Sequence, residues 1–360
     1  MNKQLRLCSR LLRSVATPAS ILLLGSCGTM PPLRTLACRA APSANVTTSS
    51  DGSTNYTTLS VLTYNIEGLG WPARASRAEQ LAEIGARLSK MRDAGNAPDV
   101  VLFQEIFSGD AKRAVAATGY PAIVSGPRRI TAPGEATRDR LPGRRNLKHG
   151  EIGMHLTGSG LAIASRYPIV AVARRAYGRR SCAGLDCLAN KGIMQARIVV
   201  PGVPTPIDLY DTHMNSRGAS RAPAARNLAA HDRQALEASR FIDETHEDRL
   251  PVIFGGDFNM RYSEERWEGF TRYQSLLLVH KVCLNPASGC DVRMSWKGEQ
   301  PWMATQDLQF YWRGSDVAVR PILVEAMFDN GTSGPALSDH QGFLVTYQLS
   351  WPPASKPFSC

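Results

Sequence analysis

The stretch that decides the fold is Val252-Ile253-Phe254-Gly255-Gly256-Asp257-Phe258-Asn259. Its three leading apolar residues have high strand propensity and predict a short buried strand. An acid and an amide follow directly after the two glycines. Rigid scaffolds often hold catalytic groups at such strand ends, so the stretch predicts a strand that presents Asp257 and Asn259 to a site.

The same arrangement, an apolar run beside a polar residue, recurs along the chain. Taken alone, an Asp or Asn after a strand is more often a turn former or a helix cap than a catalyst, and a lone His is more often structural. Repetition at so many strand ends is hard to explain by capping, so we interpret these residues as one site. They are Asn65, Glu105, His213, Asp257, Asn259, Asp307, Asp339 and His340.

Strands and helices alternate over most of the chain. Strands are predicted at 59–66, 100–103, 160–164, 196–200, 207–213, 252–254, 308–312 and 343–349. Helices are predicted around 81–91, where apolar residues recur at helical spacing, and over 222–244. Because no composition break follows residue 58, this order predicts one α/β domain over 58–350 and a C-terminal tail over 351–360.

The N-terminal region has the layout of an export signal. Basic residues precede a short apolar stretch that ends at Leu24 and is followed by small residues. The stretch is too short for a stable membrane span, which predicts a signal peptide over 1–27. Leu24-Gly25-Ser26-Cys27 also resembles a bacterial lipobox, in which Cys27 would be lipidated; cleavage near Ala40-Ala41 is the alternative. We therefore expect an exported protein, either a periplasmic or outer-membrane lipoprotein or a secreted one.

Residues 28–57 are rich in Pro, Ser and Thr and lack periodic apolar positions, which predicts a flexible linker. The formal net charge of +11 favours an anionic partner, although a basic balance can also serve solubility alone. Arginines are concentrated in Gly126–Gly150, which predicts a long loop. That loop is either a solvated surface or an electrostatic contact to a polyanion.

The cysteines agree with export. Cys182 lies close to Cys187 and Cys283 close to Cys290, while Cys38 and Cys360 lie near the two ends of the mature chain. An oxidising compartment would allow three disulfides from these six residues. A zinc site is the competing interpretation, but the sequence has no CxxC pair and no nearby histidine pair to support it.

The residue types indicate metal-assisted hydrolysis. Carboxylate and amide oxygens are hard ligands that suit Mg²⁺, with Mn²⁺ or Ca²⁺ as alternatives, and Glu105 and Asn65 could hold such a cation. Imidazole titrates near neutrality and can act as a general acid or base. No Gly-x-Ser-x-Gly elbow is apparent beside this set, so direct attack by water is favoured over a covalent intermediate.

Five short motifs together resemble those of the endonuclease/exonuclease/phosphatase superfamily, in the same order along the chain. They are Tyr64-Asn65, Gln104-Glu105, Thr212-His213, Gly256-Asp257-Phe258-Asn259 and Ser338-Asp339-His340. The resemblance covers about residues 58–350. It implies a four-layer α/β sandwich, with two packed, mainly antiparallel β-sheets flanked by helices and the site at one edge.

The resemblance also implies a metal site. Glu105 would be the main ligand, Asn65 would lie beside it, and Asp339 would complete or support the site. The expected cofactor is Mg²⁺.

Catalytic roles follow from the same motifs. Asp257 and Asn259 would orient the attacking water and the phosphate, and His213 would donate to the phosphate or to the leaving oxygen. His340 would act as base or transition-state donor, oriented by Asp307. The match at Asp307 is looser, since the run Asp-Leu-Gln-Phe departs from the aromatic or His followed by Ile that is usual in the family.

Within the superfamily the sequence is most similar to the neutral sphingomyelinases, a phospholipase C-type branch. Asn190-Lys191-Gly192-Ile193 resembles their Asn-Lys-Gly segment, which would place Lys191 near a substrate phosphate. Asn215 would also bind substrate, although that branch is expected to have Gln there. Aromatic residues between Trp296 and Trp312 could engage a membrane interface, and core packing is the alternative.

Three functions are consistent with these observations. The first is a phospholipase C-like enzyme that acts on a phospholipid, with sphingomyelin as the best single candidate, at a membrane surface. The second is an extracellular DNase-like endonuclease, which the net charge and the arginine-rich loop would favour. The third is a surface lipoprotein that kept the fold and lost activity. A monomer is expected in each case.

Overall fold

Two stacked β-sheets form the centre of the structure, a computed structural model that describes residues 33–70, 73–134, 139–296, 298–331 and 334–359. In this part of the chain the first sheet contains β1 (Thr47–Thr48), β2 (Asn55–Asn65), β3 (Val100–Gln104), β4 (Ala122–Ser125), β5 (Ala162–Ser165), β11 (Asp291–Arg293), β13 (Ala318–Met327) and β14 (Gly342–Trp351). The second contains β6 (Ile169–Ala176), β7 (Gly192–Ile198), β8 (Ile207–His213), β9 (Val252–Asp257), β10 (Leu277–Leu278) and β12 (Asp307–Trp312).

Most neighbouring strands in both sheets are antiparallel. The first sheet has the order β11-β13-β14-β2-β3-β5-β4, with β1 beside β2, and the second has the order β10-β12-β9-β8-β7-β6. The parallel pairs are β2 with β3, β11 with β13 and β8 with β9. The sheets are therefore mixed with an antiparallel majority, as predicted.

Helices cover the outer face of each sheet. The first sheet carries α1 (Ala78–Asp93) and α2 (Gly109–Ala117), which share one buried cluster with its outward side chains. The second sheet packs in the same way against α3 (Ala224–Thr245) and α4 (Glu264–Tyr273). A short helix, α5 (Val279–Cys283), borders the core between the sheets. The predicted four-layer sandwich is confirmed.

The central strands are apolar on both faces because both faces are covered. In β2, Val61 points towards the second sheet and Leu62 towards the helices, and neither is exposed. Alternate residues of a strand point to opposite sides, so a strand between two packed layers becomes a continuous apolar run. This pattern explains why these strands could be recognised from sequence.

Gly255 and Gly256 allow the two sheets and two adjacent strands to approach closely under the site. A Cβ at Gly255 would lie 2.6 Å from Leu102 Cδ1, which belongs to the first sheet. A Cβ at Gly256 would lie 2.3 Å from the carbonyl oxygen of Thr212 on β8. Neither position can hold a larger residue without a shift of its neighbours, so the glycines bring Asp257 close to the first sheet.

Most predicted elements are present, and the helix expected over 222–244 is α3. Part of the expected flexible linker packs on the domain. Arg34 forms a β-bridge with Ile123, and Thr47–Thr48 pairs with the start of β2 at Asn55. The domain boundary at residue 58 therefore falls inside a strand. The proposed signal peptide with Cys27 lies outside the described residues.

Two of the expected disulfides are present, Cys182–Cys187 and Cys283–Cys290. Cys38 is also disulfide-bonded, but its expected partner Cys360 lies outside the described residues. Within the described ranges, the side-chain groups that could hold a metal contain no cysteine. Nor does any described helix have the length and apolarity needed to cross a membrane.

The aromatic residues proposed for a membrane interface do not form one surface. Phe310 and Tyr311 are buried in the two cores, while Trp312 is exposed by 39%. Core packing therefore explains the pair on β12 that precedes Trp312.

Candidate active site

Polar residues from both sheets meet at one edge of the sandwich. Asn65 ends β2 and Glu105 directly follows β3, its parallel neighbour. His213 and Asp257 end the parallel strands β8 and β9, where they are register partners. Asp307 opens β12 opposite Asp257. Because the sheets are stacked, five strand ends converge on one cluster.

Asn65 connects the two sheets within this cluster. Its Nδ2 donates to Glu105 Oε1 and to Asp257 Oδ2, both at 3.1 Å. Its backbone N–H donates to Asp307 Oδ2 at 2.9 Å. The Asn65 side chain is fully buried, so these bonds fix the relative positions of three carboxylates.

Glu105 has an unusual backbone conformation, with φ of +62°. A non-glycine residue in this region is strained, and such strain is concentrated at functional sites. Burial raises the pKa of the Glu105 carboxyl to about 7, against the opposing effect of the Asn65 hydrogen bond. The chain therefore holds an acid in a place that disfavours its negative charge, which a bound cation would offset.

His340 and Asp307 form a close pair. The Nδ1 of His340 lies 2.7 Å from Asp307 Oδ1, and its Nε2 lies 3.8 Å from Asp257 Oδ2. Burial alone would lower the pKa of His340, but the carboxylates of Asp307 and Asp257 outweigh it and raise that pKa to about 10. His340 is therefore a cation at neutral pH.

His213 is in the opposite electrostatic state. Burial, and then the positive charges of Lys191 and His340, hold its pKa well below the ordinary value. Its Nε2 lies 3.4 Å from Asp257 Oδ2 and 3.1 Å from Lys191 Nζ. His213 is therefore neutral, and the positive charge on this side of the cluster belongs to Lys191.

Lys191 lies inside the cluster rather than at a solvated turn. Its ammonium group donates to the carbonyl of Met214 at 2.9 Å and pairs with Asp186. Asp186 was not predicted from the sequence. The signal for it was an acid enclosed by Cys182 and Cys187, which the structure closes into a loop.

Asn259 closes the turn after β9. Its φ of +54° is one that asparagine tolerates better than most residues. The backbone N–H of Asn259 donates to Asp257 Oδ1 at 3.0 Å, and its side-chain amide donates to the Met214 carbonyl at 3.1 Å. Asn259 thus holds the Asp257 carboxylate in place.

Two predicted site residues do not join the cluster. Asp339 is half exposed and contacts Arg74 at 3.5 Å, so no contact supports it as a metal ligand and that assignment stays a prediction. Asn215 is fully buried beneath the site, where its side chain accepts from Ala183 N–H and donates to Asn227. Its polar atoms are committed to the fold, so the assignment to substrate binding is not supported.

Two further residues of the quoted motifs support the site, in roles that the sequence analysis did not assign. Gln104 of the first sheet donates to Asp211 of the second at 2.7 Å beneath the cluster. Ser338 donates to the carbonyl of Asn65 and accepts from the N–H of His340. The bonds from Gln104 to Asp211 and from Ser338 to Asn65 join segments far apart in sequence, which local periodicity cannot reveal.

Two overlapping groups of side chains in the described residues could hold a metal ion. Glu105, His213 and Asp257 form one group, and Asp257, Asp307 and His340 form the other. Within each group the donor atoms lie within 4.8 Å of one another. Carboxylate oxygens predominate, a donor set that suits a hard divalent cation. The raised pKa of the partly exposed Glu105 carboxyl agrees with such an ion.

Comparison with known proteins shows the family of the chain. A model of the endonuclease/exonuclease/phosphatase family matches residues 62–340. The sequence matches none of the curated proteins with which it was compared.

Solved structures share the fold at low identity. A beta toxin variant from Staphylococcus aureus, with bound magnesium ions, is 17% identical, with a TM-score of 0.54 over 80% of this chain and 99% of that one. Sphingomyelinase C from Streptomyces griseocarneus is 19% identical, with a TM-score of 0.54 and the same coverage. A humanised TDP2 from D. rerio is 17% identical, with a TM-score of 0.52 over 81% and 98%. The chain belongs to the endonuclease/exonuclease/phosphatase family, whose members are hydrolases acting on phosphodiester bonds.

Proposed function

We propose that this protein is an exported, magnesium-dependent phosphodiesterase of the phospholipase C type, with sphingomyelin as its first candidate substrate. The observation that carries the proposal is the position of His340, whose Nδ1 lies 2.7 Å from Asp307 Oδ1 and whose Nε2 faces Asp257 Oδ2 across 3.8 Å. A protonated imidazole beside a carboxylate can serve as an acid next to a base, which hydrolysis of a phosphodiester requires.

Each residue of the cluster has a separate role in the proposed hydrolysis. Asp257, held by Asn259 and Asn65, orients the attacking water and takes its proton. The water oxygen forms a bond to phosphorus as the bond to the leaving oxygen breaks, and His340 gives its proton to that oxygen. The ammonium group of Lys191 already contacts His213, the Met214 carbonyl and Asp186, so Lys191 favours the anionic phosphate through its nearby charge rather than through a direct hydrogen bond.

Glu105 is the residue we assign to hold a divalent cation, with Asp257 and His213 as the neighbouring donors. When bound, the ion would polarise a phosphate oxygen and screen its charge from the nucleophile. Support for magnesium comes from the beta toxin structure, which contains magnesium ions.

The lipid substrate is supported by the Asn190-Lys191-Gly192 segment, because Lys191 lies in the cluster, and by the fold shared with a sphingomyelinase C. Export is supported by the two disulfides, since such bonds persist in oxidising compartments. A nuclease is the second candidate, favoured by the net charge of +11.

The test compares two substrates with one enzyme preparation. Purified protein with Mg²⁺ is assayed for phosphocholine release from sphingomyelin vesicles and for nicking of plasmid DNA, with His340→Ala as the blank. We expect lipid turnover that EDTA abolishes and Mg²⁺ restores, and at least ~10²-fold less in the variant. Nicking without lipid turnover would identify a nuclease. Turnover of neither substrate, with or without metal, would contradict the proposal.

A further inference from the structure

A cleft of about 790 Å³ lies beside the catalytic cluster and takes no part in the chemistry proposed above. One wall is the loop closed by Cys182 and Cys187. Asp186, within that loop, pairs with Lys191, which in turn contacts His213. The cleft and the catalytic cluster are thus separated by a single loop.

The cleft carries uncompensated positive charge. Arg140, Arg144 and Arg179 line it, are exposed, and form no ion pair within the described ranges. Its acidic lining residue, Glu151, is buried and committed to Arg226, with an Oε2–Nη2 distance of 2.7 Å. A surface with this balance attracts anions.

The same cleft exposes large aliphatic side chains. Leu147 and Met154 line it and are exposed by 63% and 56%. Ile152 and Leu156, close by in sequence, are exposed by 43% and 52%. Exposed apolar groups that lie together mark an interaction surface rather than ordinary scatter.

The cleft has a fixed shape although it is built from loops. Arg226, on α3, donates from Nη1 to the carbonyls of Leu141 at 3.2 Å and Pro142 at 3.0 Å. Its pairing with the buried Glu151 attaches the other side of the same segment. The arginines and aliphatic side chains are therefore presented on an anchored scaffold.

This combination of chemistry favours a lipid surface over a nucleic acid. Aliphatic side chains enter the boundary between headgroups and acyl chains while neighbouring arginines bind anionic headgroups. A single strand of nucleic acid would instead be bound by rings on which bases stack, and the described lining contains no Phe, Tyr or Trp.

We propose that this basic-apolar cleft docks the protein on a membrane surface that contains anionic phospholipid. Membrane docking would hold the catalytic cluster at the interface where a lipid phosphodiester lies. Only this purpose of the docking, and not the binding itself, rests on the proposed function. The occupant is the bilayer surface, and a nucleic acid is the alternative that the test must separate.

The test uses flotation of the full protein with vesicles of phosphatidylcholine, with or without phosphatidylglycerol. Arg144→Gln/Arg179→Gln removes charge, and Leu147→Ser/Met154→Ser removes apolar contact. Each pair should weaken binding to the anionic vesicles by ~10-fold or more, since each group contributes to the same interface. A matched control, Arg313→Gln/Leu284→Ser, changes exposed residues outside the cleft and should bind as wild type.

Hydrolysis of bis(4-nitrophenyl) phosphate, a soluble phosphodiester, should be unchanged in all three variants. If the wild type hydrolyses neither this compound nor sphingomyelin, the proposed function fails while vesicle binding still decides the docking. Unchanged vesicle binding in both cleft variants would overturn the docking. So would a loss of plasmid DNA binding in the arginine variant together with normal vesicle binding in the Leu147/Met154 variant, since duplex DNA, unlike a single strand, is bound through its phosphate charges without stacking.

Discussion

The catalytic cluster and the basic-apolar cleft lie side by side, but their charged side chains differ in burial and in pairing. In the cluster, charged groups are buried and face a partner, as His340 faces Asp307 and Lys191 faces Asp186. In the cleft, Arg140, Arg144 and Arg179 extend into solvent and form no ion pair within the described ranges. The residues of the cluster lie at strand ends, whereas most residues of the cleft lie in loops.

This difference suits the cluster to catalysis and the cleft to recognition of a surface. Strand ends are fixed by two sheets, so small errors in position are excluded where proton transfer needs short distances. Loops tolerate changes in sequence and surface chemistry without disturbing the core. The cluster is expected to set the reaction, while the cleft is expected to set the surface on which the reaction occurs.

The largest effect is expected from Glu105→Gln, which tests the cluster alone. Loss of the carboxylate should lower kcat/KM by at least ~10²-fold, because the site loses its principal anionic ligand. Stability should not fall, since burial raises the pKa of Glu105 to about 7 and its charged form is disfavoured in the fold. Thermal melting and steady-state kinetics measure both quantities.

The matched control for this substitution is Glu83→Gln, at a half-exposed glutamate outside the site that pairs with Arg87 on α1. It should leave both the activity and the melting temperature near wild type. Activity of Glu105→Gln within a few-fold of wild type would remove Glu105 from the site.

Arg226→Met tests the anchorage of the cleft. It leaves Glu151 buried without its partner, and breaking such a pair costs about 3–5 kcal/mol of unfolding free energy. Denaturant unfolding measures the loss. Arg293→Met, at an exposed ion pair with Asp291, should cost less than about 1 kcal/mol.

The double variant Arg226→Met/Glu151→Met should recover part of the loss, because no uncompensated charge remains. Equal stability of Arg226→Met and the control would mean that the cleft is not held by this pair.

Asp307→Asn is expected to have a smaller effect, a ~10-fold loss of rate at neutral pH, because it retains the imidazole whose removal costs ~10²-fold or more. Asp307 raises the pKa of His340, so activity that needs the protonated imidazole is lost only as the pH rises through about 10. Without the carboxylate that pKa falls, and the alkaline limb of the pH–rate profile should move to lower pH. If the alkaline limb does not move, the loss of rate at high pH is due to the ionisation of a group other than His340.

Much of the cluster could be predicted because its residues directly border apolar strands. A run of buried residues ends or begins at each of five site residues: Asn65, Glu105, His213, Asp257 and Asp307. The order of the motifs predicted the fold. The looser match at Asp307 was still correct in place, since its carboxylate lies 2.7 Å from His340.

Other features depend on contacts that no local pattern contains. Asn215 follows His213 by two residues, yet the chain turns beneath the site and its amide bonds Asn227 on α3. Asp186 reaches Lys191 only because a disulfide closes its loop. The position of Arg226 under the cleft required the pairing of α3 with a segment some 75 residues away, Glu151.

The pairing of β14 with β2 has a consequence for synthesis. β2 begins at Asn55, whereas β14 and His340 belong to the last segment of the domain to leave the ribosome. Until β14 is made, the first sheet lacks the strand between β13 and β2, and the nascent chain has no His340 to set against Asp307. The catalytic cluster therefore cannot assemble before the segment that carries His340 and β14 has been synthesised, although most of its residues come earlier in the chain.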